Sequence, residues 1–124
     1  MGDDIQMEMY DYWFAKGDSD QQKGVPLKDG LESFDFEEDP FAKKNVFFYR
    51  MGRARVLFEN NPTRLELLNE IYDSLRETHF PRGKITLSTN HYSHRLLKKV
   101  FVELGYRVQI KPNCEKFYVY PMEM

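Results

Sequence analysis

Between Lys84 and Ile110 the spacing of apolar residues changes twice, and that run constrains the fold more than any other. From Lys84 to Asn90, Ile85, Leu87 and Thr89 share one face of an alternating pattern, the period of two that marks a strand. Leu96, Leu97, Val100, Phe101 and Leu104 then recur at three- and four-residue spacing, which is one apolar stripe of a helix. Ser93 is a candidate N-cap, and Gly105 a candidate stop, because glycine takes the left-handed conformation past a helix end at little cost. From Arg107 to Ile110 the period of two returns, with Val108 and Ile110 on one face. The sequence therefore predicts strand, helix, strand, with connections too short to leave much choice in how they close.

The flanking segments are read the same way. Ile5, Met7 and Met9 alternate before Tyr10, Tyr12, Trp13 and Phe14 blur the period, which predicts an edge strand, with a helical turn as the alternative. Residues 16–30 are loop by composition. Residues 31–39 set Leu31, Phe34 and Phe36 among Glu32, Asp35, Glu37, Glu38 and Asp39. This is either a solvated segment with an aromatic tucked in or an acidic-aromatic docking element for a basic surface. Asn45–Met51 and Arg53–Glu59 are rich in aromatic and β-branched residues and predict two strand segments, with Gly52 as a hairpin turn or a bulge. That places Arg53 and Arg55 on one face, as a solvent-facing pair or as a contact for an anion or acidic partner. Asn61 or Thr63 caps a helix running to about Thr78, with Leu65, Leu68, Tyr72 and Leu75 as its stripe. Lys116–Tyr120 is a last strand.

A chain of 124 residues is read as one domain, able to bury a core without staples. Cys114 stands alone, so there is no disulfide framework and no cysteine-based zinc site. No apolar run approaches the roughly 18 residues of a membrane span, and the first residues lack the pattern of a secretion signal. The expectation is a soluble, cytoplasmic protein. The net charge of −2 hides an asymmetry: residues 1–40 sum to −9 and residues 41–124 to +7. The chain accordingly divides into an acidic segment, 1–40, and a core, 41–124.

From residue 45 the order of elements is β-β-α-β-α-β-β. That order resembles the core of the GCN5-related N-acetyltransferase (GNAT) fold from its third strand onward. The local text is similar too: Leu87-Ser88-Thr89-Asn90, then Val102-Glu103-Leu104-Gly105-Tyr106-Arg107-Val108, then Phe117-Tyr118-Val119-Tyr120. The resemblance covers residues 45–124 and implies an α/β (α+β) domain, a mixed central sheet carrying two main helices. It implies a coenzyme A pyrophosphate loop at Phe58–Arg64, where Asn60, Asn61 and Arg64, with Asn90 beyond it, are the cofactor-binding candidates. That loop has no glycine, and Pro62 and Glu59 remove a donor and add a negative charge. Where the family carries a tyrosine as general acid this chain has Phe101, leaving Tyr92, Tyr106 or the nearby His94 as substitutes. Small members with eroded motifs occur in tailed phages, including as virion components, so the resemblance also allows a place in a virion.

Other chemistry is sparse. His91 and His94 lie three apart with no Cys, Asp or Glu to complete a metal set, and capping is the simpler role for them. Lys43, Lys44, Arg50, Arg53, Arg55, Arg95, Lys98, Lys99, Arg107 and Lys111 can form a nucleic-acid face, or a basic body covered by the acidic segment. The expected function is a GNAT-fold protein that has lost coenzyme A chemistry and binds another protein through Arg53, Arg55, Phe34, Phe36, Glu37 and Glu38, with no cofactor. The alternatives are a divergent N-acyltransferase using acetyl-CoA and a nucleic-acid-binding module. The aromatic strand 117–120 offers a surface for homo-oligomers.

Overall fold

A computed structural model describes residues 2–78, 85–88, 92–112 and 116–123. Among these the chain is predominantly helical: α1 (Gly2–Gln22), α2 (Leu27–Leu31), α3 (Ala42–Leu57), α4 (Pro62–Thr78), β1 (Ile85–Ser88), α5 (His94–Glu103), β2 (Tyr106–Pro112) and β3 (Lys116–Glu123). It forms two compact units, Met1–Asn60 and Asn61–Met124. The division falls at residue 60, so the acidic segment through residue 40 shares a unit with residues 41–60.

The first unit is all helix and overturns the strands expected there. Tyr10, Gly17 and Asp20 are buried along α1, spaced by seven and then three residues, where loop or edge strand was expected. On α3, Phe47, Phe48, Met51, Ala54 and the following Phe58 are buried at helical spacing. Met9 meets Asn45, Phe14 meets Gly52 and Asp18 meets Arg55, so the two helices run in the same direction where they touch. Their backbones are in contact at two glycines. A Cβ on Gly17 would strike the Tyr49 carbonyl, and one on Gly52 the Phe14 carbonyl. Gly52 is therefore neither a turn nor a bulge; it lets one helix lie on another. Aromatic rings fill the flanks: Tyr10 stacks on Phe48 at 4.3 Å, and Phe34 packs at 4.4 Å from Trp13 and 5.5 Å from Tyr49. Gly24, at φ +75°, ends α1 with Gly24 N–H donating to Gln21 and Val25 N–H to Asp20, the left-handed close that glycine favours.

In the second unit the strand–helix–strand reading corresponds to β1, α5 and β2. Ser93 Oγ accepts from Leu96 N–H at 3.1 Å, and Gly105 at φ +90° closes the helix. Leu97, Val100, Phe101 and Leu104 are buried as one stripe. Helix α4 begins at Pro62 with Asn61 Oδ1 accepting from Arg64 N–H at 3.2 Å, and it buries Leu67, Leu68, Ile71 and Leu75. The sheet has the order β1-β3-β2 with both pairings antiparallel. β3 is thus inserted between two strands that run parallel to each other, a split β-α-β arrangement. Val119 sits at its centre, opposite Ile85 on one side and Ile110 on the other. Ser93→Ala is expected to cost about 1 kcal/mol, read as a lower urea midpoint, because Leu96 N–H loses its acceptor.

The resemblance to the GNAT fold does not hold. That fold needs a strand pair before its first core helix, and residues 45–57, with the described positions of 5–14, are helical instead. Three strands with antiparallel neighbours replace the expected mixed central sheet. The physical cause is the mutual burial of α1 and α3, which outweighs the local strand preference of Val46, Phe47, Phe48 and Tyr49. The expected α/β class, and the coenzyme A and phage roles implied by the resemblance, lose their basis with it.

Candidate functional site

Among the described residues the densest polar arrangement lies inside the first unit. Asp20, Tyr49 and Arg53 are buried at 6%, 1% and 7% exposure. Arg53 Nη1 donates to Tyr49 Oη at 3.0 Å, and Tyr49 Oη donates to Asp20 Oδ2 at 2.8 Å. Lys16 pairs with Asp20 at 3.3 Å, and the other guanidinium nitrogen of Arg53 donates to the Val25 carbonyl. Beside this relay Arg55 and Gln22 both bind Asp18. The guanidinium of Arg55, donating to Asp18, holds that carboxyl below its ordinary value against a counteracting effect of burial. For Asp20 burial pushes upward, but the hydrogen bond from Tyr49 and the charges of Lys16 and Arg53 outweigh it, and the carboxyl also lies low. Burial, and then the bond to Asp20, push the Tyr49 hydroxyl up. The donors run one way, from cation through phenol to carboxylate. The arrangement is satisfied within itself and holds α3 to α1 and to the segment after it.

Arg53 and Arg55 therefore do not share an exposed face. Arg53 is buried in the relay, and Arg55, a third exposed, is paired with Asp18, so both are engaged within the unit. Phe34 is anchored between Trp13 and Tyr49, while Phe36 is 49% exposed. Glu37 and Glu38 are exposed, and their N–H groups donate to Asp35 Oδ1 at 3.1 and 3.0 Å. Asp39 N–H donates to the Asp35 carbonyl at 3.0 Å, and Asp39 Oδ1 accepts from Phe41 N–H at 2.9 Å. Residues 35–41 are thus a turn closed by its own carboxylates, with the rings of Phe36 and Phe41 partly exposed on it.

Asn60 is exposed at the end of the first unit, and Asn61 opens the second, where its side chain caps α4. The cap engages Arg64 N–H, one of the first-turn N–H groups an anion at that helix start would use. Arg64 itself lines a groove of about 410 Å³ with Lys98, Lys99, Val102 and Glu103. Tyr92 is buried and donates to Glu70 at 2.9 Å; burial, then that bond, hold its hydroxyl far above the ordinary tyrosine value. His94 is the exposed first residue of α5, Tyr106 is buried at the start of β2, and Phe101 lies in the core. Asn90, His79, His91 and Cys114 lie outside the described residues. Among those described, no three His, Cys, Asp or Glu side chains converge on a point that would hold a metal ion, and no helix is long and apolar enough to cross a membrane.

Asp18, Asp20, Lys16 and Tyr49 were not anticipated as a cluster. The available signal was the four-residue spacing of Lys16 to Asp20 and of Tyr49 to Arg53, which becomes informative once both segments are helices. No protein-family model matches the chain, and neither a curated protein nor a solved structure matches it significantly.

Proposed function

We propose that the chain is a non-catalytic binding protein, and that the turn at residues 35–41 docks onto a basic surface of a partner protein. The observation that carries this reading is the exposure of Phe36 and Phe41, 49% and 38%, among Asp35, Glu37, Glu38 and Asp39 on a turn shaped by its own hydrogen bonds. Leaving phenyl rings partly in water forgoes some apolar burial, and here the rings stand beside carboxylates. Arginine is the natural complement, since its guanidinium pairs with a carboxylate and also lies on an aromatic face. Phe34, wedged against Trp13, fixes the turn to the helices, so little ordering entropy is lost on docking. The same carboxylates repel a phosphate backbone, which disfavours nucleic acid at this face. In this reading the chain needs no cofactor.

The test is fluorescence anisotropy with a labelled Arg-rich peptide at low and physiological salt. Saturable, salt-sensitive binding is expected, weakened about tenfold by Phe36→Ala with Phe41→Ala and abolished by Glu37→Lys with Glu38→Lys. Binding that ignores these substitutions, or none at all, rejects the reading.

A further inference from the structure

The outward side of α5 holds an anomaly. Its inner stripe, Leu97, Val100 and Phe101, is buried, while His94, Arg95, Lys98 and Lys99 are exposed as an amphipathic helix requires. Val102 breaks the pattern: an apolar side chain 49% exposed, one turn beyond Lys98 and Lys99. It borders a shallow, open groove. With Arg64 from α4, and with Lys98, Lys99 and Glu103, it lines the groove of about 410 Å³. The unit that carries it, Asn61–Met124, has ten Lys and Arg against seven acids.

We propose that this groove docks an acidic peptide segment bearing an apolar side chain, with Lys98 and Lys99 facing its carboxylates and Val102 its apolar group. Charge complementarity selects an anionic occupant, and two features choose peptide over nucleic acid. Among the described residues no aromatic ring lines the groove, so these offer no stacking platform for bases. Glu103 and Val102 also interrupt the cations, whereas a phosphate backbone is held by an unbroken positive track. An acidic peptide with an apolar residue tolerates both, pairing at the lysines and burying its side chain on Val102. The volume lies near the lower end of the roughly 300–1,000 Å³ of ligand sites, suited to one short segment. This site is independent of the turn at residues 35–41 and opposite to it in charge, so each can fail without the other.

The experiment titrates the full chain into a fluorescein-labelled peptide, Glu-Asp-Leu-Glu-Asp-Phe-Glu, with a second peptide carrying Ser in place of Leu and Phe, and with a double-stranded oligonucleotide. Saturable binding of the first peptide is expected, tighter than that of the serine peptide and the oligonucleotide. Lys98→Glu with Lys99→Glu should weaken it by about tenfold or more. Val102→Ser should erase the preference over the serine peptide while leaving the latter's affinity unchanged. All three side chains are exposed, so the variants should keep the wild-type circular dichroism and melting curve. Absence of saturable binding, indifference to the lysine reversals, or tighter binding of the oligonucleotide would overturn the proposal.

Discussion

Gly52→Ala is expected to cost about 3 kcal/mol and to lower the thermal midpoint of the helical unit by at least roughly 10 °C, although it adds a single methyl group. Helix propensity alone predicts the opposite sign, since alanine is favoured over glycine by about 1 kcal/mol in a helix interior. Contact decides the outcome. The new Cβ would lie against the Phe14 carbonyl and 2.9 Å from Asp18 N, and these are backbone atoms with no torsion to rotate away. The only relief is to move α1 off α3, and that opens the layer holding Tyr10, Phe48 and Met51. Gly17→Ala meets the Tyr49 carbonyl in the same way, with Arg53 N at 3.1 Å. One separation of the helices relieves both clashes, so the double variant should cost clearly less than the two single costs added. Gly24→Ala is the control. Nothing lies within 4 Å of its Cβ position, and the strain of φ +75° should cost only about 1 kcal/mol. Far-UV circular dichroism melts of the four variants check the series. A neutral or stabilising Gly52→Ala would mean that the two helices are not in backbone contact.

That glycine also marks where the sequence could and could not be read. Around α5 every signal is local: the period of the apolar residues, a serine at one end and a glycine at the other, and short connections. Helix α4 was legible for the same reason, from Asn61 and Pro62 to Leu75. In the first unit the decisive information is not local. Residues 45–51 favour a strand by composition, and Gly17–Gln22 favours a loop; each becomes helical because the other is there to pack against. The error then spread to the candidate residues. Two positions apart, Arg53 and Arg55 share a face on a strand, but on a helix they point roughly 200° apart, and so one enters the core while the other pairs at its edge with Asp18. Glu37 and Glu38 are exposed, because composition places acids at a surface whatever their backbone does, while Phe34 rather than Phe36 is the aromatic tucked in. The Asp20–Tyr49–Arg53 relay joins residues about thirty positions apart, and nothing local announces it.

The relay should make the stability of the first unit depend on acid, with a sign set by the two lowered carboxyls. Asp18 and Asp20 are held below their ordinary values when folded, so at falling pH the unfolded chain takes up their protons first. Their contribution is complete well above an unperturbed aspartate value near 3.9 and is lost progressively below about pH 5. Asp20→Asn mimics the protonated state while leaving an oxygen for the Tyr49 hydroxyl. It should cost about 1–3 kcal/mol at pH 7 and progressively less as the pH falls through the lowered value of the folded carboxyl, where wild type begins to lose the same charge. Arg53→Met should cost more at pH 7, about 3 kcal/mol, because it removes a buried cation facing a buried carboxylate and leaves the Val25 carbonyl without that donor. Combining the two isolates the charge coupling: with Asn at position 20 the arginine no longer faces an anion, so its removal should cost less than it does in wild type. Urea denaturation of the four chains at pH 3, 5 and 7 measures this. If the relay were only packing, Asp20→Asn would cost the same at every pH. A penalty that shrinks toward pH 3, together with a coupling that shrinks with it, places the stabilisation in the ionised carboxylate and in the one-way chain of donors that ends on it.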